Sequence, residues 1–262
     1  TTTGENAADQ GTAGGAVLLH STGAGAITLL GDITASGGNT TAGTNDGGDA
    51  GVITVRNDSG SILIDDVTAT GGTSAGGTAG ADGTIQLSAT TTIDQQAATD
   101  ITAAGGNLKL VSTGGDVTLN NVTNTVAIVA ADLTGASSLS YTDADGLSIG
   151  MIAQAGTGNA QLAAETGIVA TGADETVTVT SLTGQLTVDD VITTTSGNVE
   201  LMATAGALLI DAAVTTTAGT ATLTAGTTIT STAAGTITTT GENAADQGTA
   251  GGAVLLHSTG AG

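Results

Sequence analysis

The residues of this chain best placed to do chemistry are acids set among glycines. Glu5, Asp9, Asp46, Asp49 and Asp82 fall in three glycine-rich stretches, with Asn6, Asn39 and Asn45 beside them. Hard cations such as calcium take about six to eight oxygens from carboxylates, carbonyls and amides. These five acids are therefore the calcium candidates. Asn45-Asp46-Gly47-Gly48-Asp49 has the composition of a calcium turn but lacks the nonapeptide repetition of such arrays, and no EF-hand pattern occurs. Acids in glycine turns also serve as plain solvated turn formers. No other cofactor is implied.

The remaining reactive types point away from catalysis. Asp65-Asp66 and Asp189-Asp190 stand at equivalent places, but adjacent strand residues face opposite ways, so neither pair is a catalytic dyad. His20 and His257 have no second ligand type near them in sequence. Arg56 and Lys109 are the two bases, each expected to face outward or to pair with an acid of a neighbouring coil. No nucleophile elbow, phosphate loop or dinucleotide fingerprint appears in context. The expectation is a protein that is not an enzyme.

Composition narrows the classes further. Two bases against 24 acids give a net charge of -22, which excludes nucleic-acid binding. Without cysteine there is no disulfide framework and no zinc ribbon. No run of about eighteen apolar residues exists, so membrane insertion is not expected. Only 10% of residues are charged while 39% are hydrophobic, which favours a folded chain over a disordered one. Phenylalanine and tryptophan are absent, so the core must be thin and aliphatic.

The positioning elements repeat at two scales. The first 25 residues recur unchanged at 238–262, a period of 237 residues. The expectation is a tandem array: 1–237 is one unit and 238–262 begins the next. Within a unit, four segments share one template: apolar-x-apolar, six residues, apolar-x-apolar, two residues, apolar. They are Ile53, Val55, Ile62, Ile64, Val67; Leu108, Leu110, Val117, Leu119, Val122; Val177, Val179, Leu186, Val188, Val191; and Val199, Leu201, Leu208, Ile210, Ala213. Period-two alternation marks strands with one buried face. Gly60, Gly115, Gly184 and Gly206 stand at the same offset, where a turn needs positive φ or close backbone approach. Thr54, Lys109, Thr118, Thr178, Thr187 and Glu200 should face out. Met151 and Met202 should pack.

An apolar-Thr landmark at Ile33, Val67, Ile101, Val122, Ile192, Val214 and Ile237 counts the units. Dividing the 70 residues between Val122 and Ile192 into three gives nine units, although 123–172 fits the template poorly. The expected fold is all-β: a parallel β-helix, or β-solenoid, right-handed, of about nine coils and roughly 43 Å per repeat. A string of β-sandwich modules is the other architecture, but those repeat near 100 residues and carry core aromatics.

Three consecutive coils are long. Their extra residues, 4–15, 37–51 and 71–83, should stack at one corner as a fin and form a lateral contact surface, or else be tolerated insertions. Threonine rows such as Thr176-Val177-Thr178-Val179-Thr180 suggest an ice-binding face, broken by Lys109, Glu200 and Gln86.

Segments such as GNLKLVSTGGDVTLNNV and GNVELMATAGALLIDAAV resemble the coils of filamentous-haemagglutinin-type exoproteins, which are giant repeat-rich bacterial surface proteins. The resemblance covers most of the chain and lies in composition and period. It implies a right-handed β-helix in an extracellular or cell-surface fibre, matrix or adhesin stalk. The expected partners are tandem copies and self-association into fibres or sheets. The alternatives are an adhesin binding carbohydrate or a partner cell and, more remotely, an ice-binding solenoid.

Overall fold

The computed structural model describes every residue except 9, 136, 157–160, 242–249 and 261–262. The described chain is all-β, without helix, and its strands pair almost entirely in parallel. One sheet holds nine strands. In order they are Ile27–Thr28, Ile62–Ile64, Ile93–Gln95, Val117–Leu119, Leu139–Asp143, Thr176–Ser181, Asn198–Ala203, Ala221–Ala225 and Val254–Ser258. Ile27, Ile62, Ile93, Val117, Leu139, Val177, Val199, Ala221 and Val254 stack in a single column. The chain thus returns to this sheet at intervals of 22 to 38 residues and lays each strand on the one before. The fold is β-solenoid-like.

A fifteen-stranded sheet closes the other sides. Early in the chain it runs as two rows. One contains Val17–Ser21, Ile53–Asn57 and Thr84–Ala89, and the other contains Ile33–Thr34 and Val67–Thr68. Both rows meet in the long strand Ile101–Ser112, which pairs with Thr125–Leu133. From there they part again, through Leu147–Ile149 and Ile168–Ala170.

The alternating pattern produces this packing. Ile53, Val55, Ile62, Ile64, Leu108, Leu110, Val177, Val179, Leu208 and Ile210 are fully buried. Each such side chain contributes roughly 1.5–3 kcal/mol by leaving water. Tyr141 is the largest buried side chain and replaces an aliphatic at its template position. The corner glycines are required by close approach, not by positive φ, which occurs instead at Gly43, Gly135, Gly156 and Gly167. A Cβ on Gly206 would lie 1.8 Å from the Gly184 carbonyl oxygen, and one on Gly184 would lie 2.5 Å from the Gly146 backbone.

Several sequence expectations are corrected. Val122 is 62% exposed and Val191 is 40% exposed. Val126 and Ile192 take the buried places instead, because the strands begin after the turn and not within it. Within 123–172, Leu139, Tyr141, Leu147, Ile149 and Ile152 follow the template with one residue fewer. Met151 and Met202 are exposed on outward positions.

Candidate functional site

Two surfaces depart from the plain lap pattern. The first is the corner carrying the described residues of 4–15, 37–51 and 71–83. These limbs lie outside the strands and bond to one another in a zigzag. Gly38 N donates to Thr12 O at 2.8 Å, Gly48 N to Gly38 O at 2.9 Å, Gly72 N to Gly48 O at 2.8 Å and Gly80 N to Gly72 O at 2.8 Å. The three loops therefore stack as one fin. The spacing leaves no room for side chains. A Cβ on Gly48 would meet Thr12 O at 1.9 Å, and one on Gly72 would meet Gly38 O at 1.9 Å. Crowding of this kind around closely packed extended chains admits only glycine.

Three of the fin's acids accept from backbone amides. Asp46 Oδ1 accepts from Thr78 N at 2.7 Å and Asp49 Oδ1 from Ala81 N at 2.8 Å. Asp82 Oδ1 accepts from Gly71 N at 2.6 Å and its Oδ2 from Gly105 N at 2.7 Å. Asn6 and Asn39 do the same for Asn39 N and Thr73 N, both at 2.7 Å. These side chains stitch lap to lap where the strand ladder is interrupted. Glu5 uses its backbone, accepting from Thr12 N and donating to Thr12 Oγ1. Asp9 lies outside the described residues. The one acidic trio that converges among the described residues is elsewhere: oxygens of Asp32, Asp65 and Asp66 lie within 4.8 Å of one another. Asp66 Oδ1 there accepts from Asp100 N at 2.6 Å. Sequence reasoning treated Asp65-Asp66 in isolation and missed Asp32, one lap below.

The second surface is a strap. Met151–Ile152 and Glu165–Thr166 pair antiparallel, and the described residues between them, 153–156 and 161–164, lie against the outer side of the larger sheet. There they meet the register row Thr54, Gln86 and Lys109. All three were expected to face solvent, and all are buried. Lys109 Nζ donates to Ala153 O at 3.1 Å and to Ala163 O. Burial pushes the Lys109 ammonium down from its usual range, while Glu165 pulls it up. Burial raises Glu165, with nearby Asp132 adding to the rise, and burial also raises Asp132. Neither amide atom of Gln86 has a partner among the described residues.

Lys109→Met is expected to loosen the strap alone. Methionine keeps the stem but leaves two carbonyls unmet, at about 1–3 kcal/mol each. Hydrogen exchange should quicken in 151–156 and 161–166 while the nine-stranded sheet stays protected. Unchanged exchange in the strap would refute the role given to Lys109.

Beside the strap, an open groove of ≈ 430 Å³ is lined by Arg56, Asp58, Ser88, Thr113, Gln161 and Glu165 among others. At its edge His20 Nε2 lies 2.8 Å from Asp58 Oδ2, and Arg56 Nε lies 2.5 Å from Asp58 Oδ1. Bonds from His20 and then Arg56 hold the Asp58 carboxyl below its usual range. Sequence neighbours offer His20 no second ligand type, and its partner Asp58 lies 38 residues away. The lap register was the signal that could have found one, since His20 pairs with Arg56 across adjacent strands. His257 pairs instead with Thr224.

On the outward face of the nine-stranded sheet, Thr178 and the buried Thr180 are followed by Glu200 and Met202, then Thr222 and Thr224. The threonine ladder is interrupted in register. No family model matches the chain, and no curated protein or solved structure matches it.

Proposed function

We propose that this chain is a structural segment of an extracellular fibre, sheath or matrix on a bacterial surface. Tandem copies of the 237-residue repeat would continue the same laps, wound right-handed as crossovers between parallel strands almost always are. One observation supports this most: nine parallel strands, from Ile27–Thr28 to Val254–Ser258, lie in one column with each lap resting on the one before. Stacks of this kind touch only their neighbours along one axis and are extended by repeating the same unit, and the sequence of 1–25 returns unchanged at 238–262.

In this reading the work is mechanical. Backbone ladders run along the axis, the aliphatic core binds the laps, and the fin at 4–15, 37–51 and 71–83 touches neighbouring copies. Electron diffraction from the assembled material should show a meridional spacing of about 4.8 Å. Beads of separate globules without that spacing would overturn the proposal.

An adhesin stalk is the second reading. It is favoured by the groove beside Arg56, Asp58 and Glu165, whose polar groups suit a carbohydrate. Saturable glycan binding lost in Arg56→Ala would move the reading to that class.

A further inference from the structure

We infer that one 237-residue repeat closes on about eight and one-third laps, so that successive copies turn their fins onto successive faces of a three-sided stack. The inference rests on the tandem reading above and adds the direction in which each copy meets its partner, another copy of this chain.

The first observation is one sequence in two places. Val17–Ser21 lies in the fifteen-stranded sheet, with Val17 on Ile53. Its unchanged copy, Val254–Ser258, lies in the nine-stranded sheet, with Val254 on Ala221. From Ile27 to Val254 the nine strands make eight steps, and Val17 precedes Ile27 by one strand of the three in a lap. Nine units, as counted from the landmarks, would have returned the copy to its own sheet.

The shift has a local cause. Early in the chain the template's first strand lies in the larger sheet and its second, such as Ile62–Ile64, in the nine-stranded sheet. Later the first strand, such as Thr176–Ser181, lies in the nine-stranded sheet and the second, Leu186–Val188, in the larger one. The change falls where Val117 and Leu119, of a second strand, carry Leu139 and Tyr141, of a first. Between them runs Thr125–Leu133, a strand that belongs to no template and advances the chain by one face.

A column of glycines shows the same shift at the corner before these strands. Added Cβ atoms would run from Gly60 into Gly25 O at 2.6 Å, from Gly219 into Gly197 O at 1.9 Å and from Gly252 into Gly219 O at 2.0 Å. This is one corner, always beside the nine-stranded sheet. Gly25 and Gly60 follow a first strand in sequence, whereas Gly197 and Gly219 precede one. Gly252 is the copy of Gly15, at the root of the fin. In the first copy Gly15 lies against Gly51, at the fin corner. The described root of the second copy's first loop, Gly252, therefore lies at a different corner from Gly15.

Fins would then recur every roughly 40 Å along the axis, each turned by about 120°. An array of this kind meets other arrays on three sides and builds a network, where aligned fins would build a flat sheet.

The test uses the 262-residue chain, which has no cysteine of its own. Thr222→Cys with Leu255→Cys places thiols on directly paired residues, within disulfide reach in adjacent strands. Glu200→Cys with Thr222→Cys is the reference pair, inside the uninterrupted stack. Both pairs should oxidise to near completion. If the reference pair closes and Thr222–Leu255 does not, the fractional count is wrong while the lap reading stands. If neither closes, the lap reading fails and takes the inference with it.

Discussion

Gly197→Ala should be the most damaging small substitution in the chain. A Cβ at residue 197 would lie 1.3 Å from the Glu175 carbonyl oxygen and 2.2 Å from its carbon. Neither atom can retreat without moving the lap below. The Gly197 carbonyl also accepts from Thr194 Oγ1 at 2.7 Å in its own turn and from Thr216 Oγ1 at 2.5 Å in the next lap, so that lap must follow any shift as well. The cost is about 3 kcal/mol or more, which for a chain of this size lowers the melting temperature by roughly 10 °C. Gly31→Ala is the control, because nothing lies within 4 Å of a Cβ there. It should leave the melting temperature level or raise it slightly, through a less disordered unfolded state. Equal effects at the two positions would mean that the laps are not packed against each other at this corner.

The second large effect is on pH dependence, and its sign is unusual for carboxylates. Asp143 is buried in the core, and burial pushes its carboxyl up to about 7. It accepts from Tyr141 Oη at 2.8 Å and from Val126 N at 3.0 Å through Oδ2, and from Asp145 N at 3.1 Å through Oδ1. The folded chain holds a proton that the unfolded chain releases near pH 4. Stability from this group is complete below pH 4, falls as pH rises toward 7 by up to about 1.4 kcal/mol per unit, and is level above that. Glu175 is buried without a side-chain partner among the described residues, and burial raises it in the same direction. The net charge of -22 at pH 7 also relaxes on acidification. Melting temperature should therefore be higher at pH 5 than at pH 8. Asp143→Asn, neutral throughout, should flatten part of that slope and gain most over the parent at pH 8. Parallel profiles for parent and variant would show that Asp143 does not titrate across this window.

How much of this could be read from residues alone depends on whether the cause was local. Alternation at Ile53, Val55, Ile62 and Ile64 and the glycines at fixed offsets are consequences of one lap resting on the next, so each lap repeats the signal. The fin was legible for the same reason: three consecutive long units must stack. The burial of Lys109 was not legible, because its cover comes from a strap 44 to 54 residues further on, in a segment without the template. The change of face between early and late laps was hidden by one unpatterned strand, Thr125–Leu133, whose register slips between Val126 and Ile128. Val122 passes for a buried landmark because an apolar-Thr pair sits in a turn there and imitates it.

Spin-label distances along the outer face of the nine-stranded sheet test the stacking itself most directly. Thr28, Leu63, Asp94, Thr118, Ser140, Thr178, Glu200 and Thr222 form one row, each paired with the next. Cysteine labels at Asp94 and Thr222 are five laps apart and should lie about 24 Å from each other; labels at Thr28 and Thr222, seven laps apart, should lie about 34 Å from each other. Distances that grow evenly with the number of laps, whatever the sequence separation, are the predicted result. Distances that scatter, or that follow sequence separation, would contradict a chain wound lap upon lap.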